Sequence, residues 1–216
     1  MGQADPWCQE ERSLLASLDT PWKIQQYLDA LPYSSEHGTR SPRRVMRDRL
    51  AHCTEGALFA AAALRFHGRP PLLIDLQADN DDNHILAVYR ENRCLGAVAK
   101  SNYTTLRFRE AIYRNPRELA LSYFELYYNT LGEKTLRGYS RMVDISRFDE
   151  DNWMTTEDDL DWLDTRLQRM RHYALLTAEM VAALHPMDAA LYQAGLQGAD
   201  PAGLYQPEGR QPEATR

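Results

Sequence analysis

Cysteine is scarce in this 216-residue sequence, and Cys8, Cys53 and Cys94 lie far apart. Small disulfide-stabilised domains contain more cysteines at closer spacing, so we expect three free thiols. The sequence also lacks an apolar run of membrane-spanning length. Its N-terminus, MGQADPWCQEERS, carries acids where a secretory signal carries basic and apolar residues. These absences predict a cytoplasmic protein with no membrane partner.

An excess of basic residues is missing as well. The sequence has 25 Lys and Arg residues against 31 Asp and Glu residues, and its formal net charge is −6. Because phosphate recognition depends on clustered basic side chains, we expect no nucleic-acid partner. Hydrophobic residues make up 44% of the chain, which is enough for a sizeable core.

Helix start signals are frequent. Three pairs of a capping residue followed by proline predict helix starts: Thr20-Pro21, Ser41-Pro42 and Asn115-Pro116. A central helix begins near Cys53, is rich in alanine and stops at Gly68. Thr156, followed by acidic residues, predicts a long helix or helix pair through Leu184.

Strand patterns follow the central helix directly. The run PLLIDLQA at 71–78 predicts a buried strand, and residues 84–90 and 94–100 predict a hairpin with a three-residue turn at 91–93. The order of elements predicts an α+β domain whose central helix packs on an antiparallel sheet. We divide the chain into an N-terminal extension (1–19), a core (20–150), a C-terminal helical addition (151–190) and a flexible tail (191–216).

Cys53 is the candidate nucleophile among the three cysteines. A helix N-terminus favours the reactive thiolate through its unpaired N–H groups and its dipole, and the same N–H groups stabilise an oxyanion. Cys8 lies in the terminal segment and Cys94 lies in a strand. A buried structural cysteine is the ordinary alternative for Cys53.

His84 is the candidate base for that nucleophile, because it opens a strand just after an acidic turn. The predicted hairpin places His84 opposite residues 99–101, and a bulge extends this range to Asn102. A catalytic histidine needs an acceptor that fixes its tautomer. Asn102 is the favoured acceptor and Ser101 the alternative. A zinc site formed by His52, Cys53 and His84 is a weaker possibility, since the spacing matches no common zinc motif.

Three features follow one another along the chain: a cysteine at a helix start, a histidine on the next hairpin and a polar residue one strand later. This order resembles that of the transglutaminase-like, papain-related superfamily. Three segments are similar to those of uncharacterised bacterial transglutaminase-like proteins: SPRRVMRDRLAHCTEGALFAAAALRFHGRPPLLIDL, DDNHILAVYRENRCLGAVAKSNYTTLRFREAIYRNPRELALSYFELYYN and GEKTLRGYS. The resemblance covers roughly residues 20–150. It implies a papain-like core with Cys53 as nucleophile and His84 as base. The superfamily usually supplies an Asp as third residue, for which Asn102 would be an amide variant.

These features together predict a thiol hydrolase or acyltransferase that acts on a peptide or small amide. Cys53 would form a thioester with the acyl group, and His84 would move the proton between the thiol and the leaving amine. No cofactor or metal is required. The alternative is a catalytically silent transglutaminase-like module that binds a peptide or another partner in the same cleft.

Overall fold

The computed structural model describes residues 6–207. Its helices are α1 (Gln9–Ser17), α2 (Pro21–Asp29), α3 (Pro42–Asp48), α4 (Cys53–Phe66), α5 (Pro116–Phe124), α6 (Asp161–Gln168), α7 (Ala178–Ala182) and α8 (Ala189–Gly195). Its strands are β1 (Leu72–Ala78), β2 (His84–Glu91), β3 (Cys94–Val98), β4 (Arg109–Tyr113), β5 (Leu136–Ser140), β6 (Val143–Asp144) and β7 (His172–Ala174).

One antiparallel sheet runs through the described chain in the order β4-β3-β2-β1-β5-β7, and β6 pairs with β1. The expected α+β class is therefore confirmed. Thr20, Ser41 and Asn115 each cap a helix by accepting a backbone N–H bond, as their sequence context predicts.

The two faces of the sheet are covered by different helices. Leu73, Ile85 and Ala87 face the cluster that contains α4. The alternate positions, such as Ile74 and Leu86, face the cluster that contains α5. Since adjacent strand residues point to opposite faces, each residue of β1 and β2 belongs to one side or the other.

Helix α4 approaches the sheet closely because its side chains are small. Its alanines from Ala57 to Ala63 are buried in the core. At Gly56, an added Cβ would lie 2.2 Å from the Cβ of Lys100. Glycine is therefore required there, and this contact holds the start of α4 against the end of β3.

The hairpin between β2 and β3 has a tighter turn than predicted. Glu91 pairs with Cys94, so the turn contains two residues, Asn92 and Arg93. Both have positive φ angles, 49° and 65°, as the turn type that suits a two-residue hairpin requires. The predicted three-residue turn at 91–93 is wrong by one residue. Continuing the observed register places Ser101 opposite His84.

The C-terminal part of the chain differs more from its prediction. Instead of a long helix or helix pair through Leu184, residues 151–190 form α6, the sheet strand β7 and the short α7. Residues 191–207 of the expected flexible tail fold onto the core through α8 and the segment after it. The remaining tail residues, 208–216, and residues 1–5 of the N-terminal extension lie outside the described chain.

Candidate functional site

Cys53 is the first residue of α4, as the sequence predicts. His52 caps the helix: its ring Nδ1 accepts the Thr54 N–H at 3.2 Å, and its own N–H donates to Glu55 at 2.8 Å. Glu55 is fully buried and also accepts the Arg40 backbone N–H at 2.8 Å. These bonds fix both the helix start and the preceding loop.

The Cys53 sulfur is partly buried and close to oxygen atoms. It lies 3.9 Å from the Asn83 carbonyl oxygen and 4.0 Å from the Thr54 hydroxyl. Burial, together with the nearby Asp164 and Asp82, raises the pKa of Cys53 to about 12. The helix N-terminus does not offset these effects, so the side chain is a neutral thiol.

An open cavity of about 480 Å³ borders Cys53. Four carboxylates line it: Glu36, Asp82, Asp161 and Asp164. The histidines His37 and His52 line it as well, and no Lys or Arg of the described chain does. Burial raises the pKa of Asp82; the nearby His52 opposes this shift, and Asp164 adds to it. Burial likewise raises the pKa of Asp164, although the Thr54 hydroxyl donates to it at 2.9 Å. The cavity is therefore acidic.

The His84 side chain lies on the other face of the sheet. The next residue, Ile85, faces α4, so His84 points to the opposite face. The His84 ring lies 6.3 Å from the ring of Tyr123 and 6.4 Å from that of Tyr127. Its Nε2 lies 2.8 Å from the Leu106 carbonyl oxygen. A carbonyl only accepts, so Nε2 carries the hydrogen. Burial in this apolar environment lowers the pKa of His84 to about 4.

The predicted partners Cys53 and His84 thus lie near each other but are not hydrogen-bonded. Both residues line a small cavity of about 40 Å³, which also touches Ser101 and Asn102. Among the contacts of the described residues, however, the sulfur bonds to Asn83 and Thr54 and not to the His84 ring. The expected sulfur–imidazole hydrogen bond is absent among the described residues, and Nε2 of His84 is held by the Leu106 carbonyl.

Asn102 does not orient His84. Its Nδ2 donates to the Asp200 carbonyl and its Oδ1 accepts the Asp200 N–H, both at 2.8 Å. The alternative, Ser101, accepts the Tyr103 N–H through its hydroxyl at 3.1 Å. The acceptor for His84 is instead the backbone carbonyl of Leu106, which no side-chain pattern reveals.

A histidine–carboxylate pair that the sequence analysis missed lies on the α4 face. Asp75 accepts the His172 Nε2–H at 2.8 Å and the Asn83 side-chain N–H at 3.0 Å through the same oxygen. Its other oxygen is buried without a hydrogen-bond partner. Asp75 is the one acid in the apolar run 71–78, and an acid in a buried strand is a sequence signal for a buried polar pair. His172 was assigned to a helix but belongs to β7.

Tyr33 is a second residue beside the thiol that the sequence analysis did not single out. Burial, together with the nearby Cys53 and Asp82, raises the pKa of its hydroxyl well above the usual value. Tyr33 lines both cavities next to Cys53.

Residues 6–207 contain neither a metal-ligand cluster nor a membrane-spanning helix. No group of three or more His, Cys, Asp or Glu side chains in this range has a metal-binding arrangement. None of the helices in the same range is both long and apolar enough to span a membrane.

Comparison of the sequence with known proteins identifies no relative. No protein-family model matches the chain, and no curated protein matches it.

Proposed function

We propose that this chain is a transglutaminase-like module that binds a ligand with a cationic group in the acidic cavity beside Cys53. The observation that carries the proposal is the pair Asp82 and Asp164, two partly buried carboxylates that flank the same cavity. Both raise the pKa of Cys53, and Asp164 also raises the pKa of Asp82, because like charges repel. A bound ammonium or guanidinium group would relieve that repulsion.

The state of Cys53 supports binding rather than catalysis. A nucleophilic cysteine needs a thiolate or a base that can take its proton. With the pKa of Cys53 raised to about 12 by burial and by the two carboxylates, the thiolate is scarce at neutral pH. A cation in the cavity would meet a neutral thiol and several oxygen atoms.

Pentylamine tests the proposal directly. We expect saturable binding of pentylamine at pH 7 and low salt, measured by calorimetry, and no binding of pentanol, which has the same chain without the charge. Asp164→Asn should weaken pentylamine binding about fivefold or more because a charge-assisted contact is lost. Asp158→Asn, an exposed carboxylate outside the cavity, is the matched control. Equal binding of the amine and the alcohol would refute a cationic site.

The second candidate is the thiol hydrolase or acyltransferase, with Cys53 as nucleophile and His84 as base. It is favoured by the position of Cys53 at the first residue of α4, beside an open cavity, and by the small cavity that it shares with His84. It requires the unprotonated Nδ1 of His84, on the opposite side of the ring from the Nε2–Leu106 bond, to come within hydrogen-bond reach of the sulfur.

Thiol labelling separates the two candidates. Iodoacetamide reacts with the thiolate, so an active pair makes Cys53 label faster than Cys8 and Cys94. We expect slow labelling of Cys53 that does not change in His84→Ala. Rapid labelling that is lost in His84→Ala, with the fold retained, would favour the enzyme.

A further inference from the structure

The segment from Asp200 to Tyr205, here called the C-terminal strap, contributes to the walls of both cavities beside Cys53. It lies in the part of the chain that was expected to be a flexible tail. Gly203 and Tyr205 line the open acidic cavity and also the small cavity next to His84. The strap therefore forms part of the wall around the thiol.

Asn102 holds the beginning of the strap by its main chain. Its side-chain amide donates to the Asp200 carbonyl and accepts the Asp200 N–H, each at 2.8 Å. Asn102 is only 5% exposed, so the amide is fixed in place. This two-bond pattern is the one by which a β-strand edge binds a peptide, and it does not depend on the side chain of the bound residue.

Gly203 meets the ring of Tyr33 in the middle of the strap. An added Cβ at this position would lie 2.7 Å from the Tyr33 ring and 3.1 Å from the Asn102 nitrogen. The ring and the amide thus form the two walls of a groove that admits only a residue without a side chain. Further on, the Thr130 hydroxyl donates to the Tyr205 carbonyl at 3.2 Å.

We propose that the groove between Tyr33 and Asn102 is a peptide-binding site, occupied in cis by the C-terminal strap. Its ligand is a peptide segment whose backbone pairs with the Asn102 amide and that carries glycine three residues later. While the strap is bound, it limits access to Cys53. The inference does not depend on the cationic ligand of the acidic cavity.

Displacing the strap tests the first half of the proposal. Gly203→Val should push the strap away from Tyr33 and raise the iodoacetamide labelling rate of Cys53 about tenfold or more, as expected when a local contact opens. The rate at Cys94, on β3, should stay unchanged because the core remains folded. Gln197→Val, at an exposed position before the strap, is the matched control and should label like the wild type.

A peptide added in trans tests the second half. The peptide ADPAGLY, which copies residues 199–205, should bind the Gly203→Val protein and return Cys53 to slow labelling. The peptide ADPAVLY should not, because its valine meets the Tyr33 ring. Wild-type labelling rates in Gly203→Val, or equal effects of the two peptides, would overturn the proposal.

Asn102→Ala provides a second route if Gly203→Val folds poorly. It removes both hydrogen bonds to Asp200 without adding bulk. We expect faster Cys53 labelling and faster hydrogen exchange at Ala202 and Gly203, with the exchange of α4 unchanged. Unchanged exchange at those two amides would show that Asn102 does not hold the strap.

Discussion

Near the turn between β1 and β2, each face of the sheet carries one ionisable residue of the candidate site. The pKa of the residue on the α4 face is raised, and the pKa of the residue on the α5 face is lowered. On the α4 face, Cys53 is surrounded by carboxylates, and burial together with these charges raises its pKa to about 12. On the α5 face, His84 lies among Tyr123 and Tyr127, and burial lowers its pKa to about 4. Both shifts favour the neutral form.

This difference explains why proximity does not make a catalytic pair. Proton transfer from the thiol to the imidazole needs the two pKa values to approach each other. Here they diverge, to about 12 for Cys53 and about 4 for His84. An active dyad would need the unprotonated Nδ1 of His84 within hydrogen-bond reach of the sulfur.

The largest expected effect is the change in unfolding free energy with pH that the buried His84 causes on the α5 face. The folded protein keeps His84 neutral between pH 4 and 6.5, whereas the unfolded chain protonates it there. The unfolded state then binds more protons, so stability rises with pH across this window and is lost as the pH falls. The wild type should lose about 3 kcal/mol more unfolding free energy than His84→Leu between pH 7 and pH 4. Denaturant unfolding at both pH values measures this difference.

His185→Leu is the control for that experiment, since His185 is exposed after α7 and lies outside the acidic cavity. Its acid sensitivity should match that of the wild type. If His84→Leu loses as much stability in acid as the wild type, the imidazole is not held neutral by its surroundings.

The next effect concerns the α4 side. Asp164 is the charge that most raises the pKa of Cys53 after burial itself. In Asp164→Asn the thiol pKa should fall by about one unit, which increases thiolate and labelling rate about tenfold at a fixed pH below the pKa. The pH profile of iodoacetamide labelling measures it. An unchanged profile in Asp164→Asn, with Asp158→Asn as control, would assign the shift to burial alone.

The smallest effect is an expected absence of change. Because His84 donates to the Leu106 carbonyl and Asn102 bonds to Asp200, Asn102→Ala should leave the His84 titration where it is. Imidazole nitrogen resonances followed by NMR across pH 3 to 8 report both the pKa and the tautomer. A change of tautomer in Asn102→Ala would restore the predicted role of Asn102 as the orienting residue.

Local signals were enough for much of the fold. The caps at Thr20, Ser41 and Asn115 and the start of α4 at Cys53 depend on residues adjacent in the chain. The strand at 71–78 and the hairpin were predicted from short apolar runs separated by polar turns. The hairpin turn was wrong by one residue, because Asn92 and Arg93 both adopt positive φ, which is uncommon for arginine.

The α+β class and the nucleophile candidate at a helix start were therefore determined by the sequence itself, since capping and periodicity act over a few residues. The face of the sheet on which His84 lies, its bond to the Leu106 carbonyl, the Asp75–His172 pair and the bonds of Asn102 to Asp200 were decided only by the tertiary structure. Each joins residues about 20 to 100 positions apart. Local propensity carries no information on which distant group a buried polar atom finds as its partner.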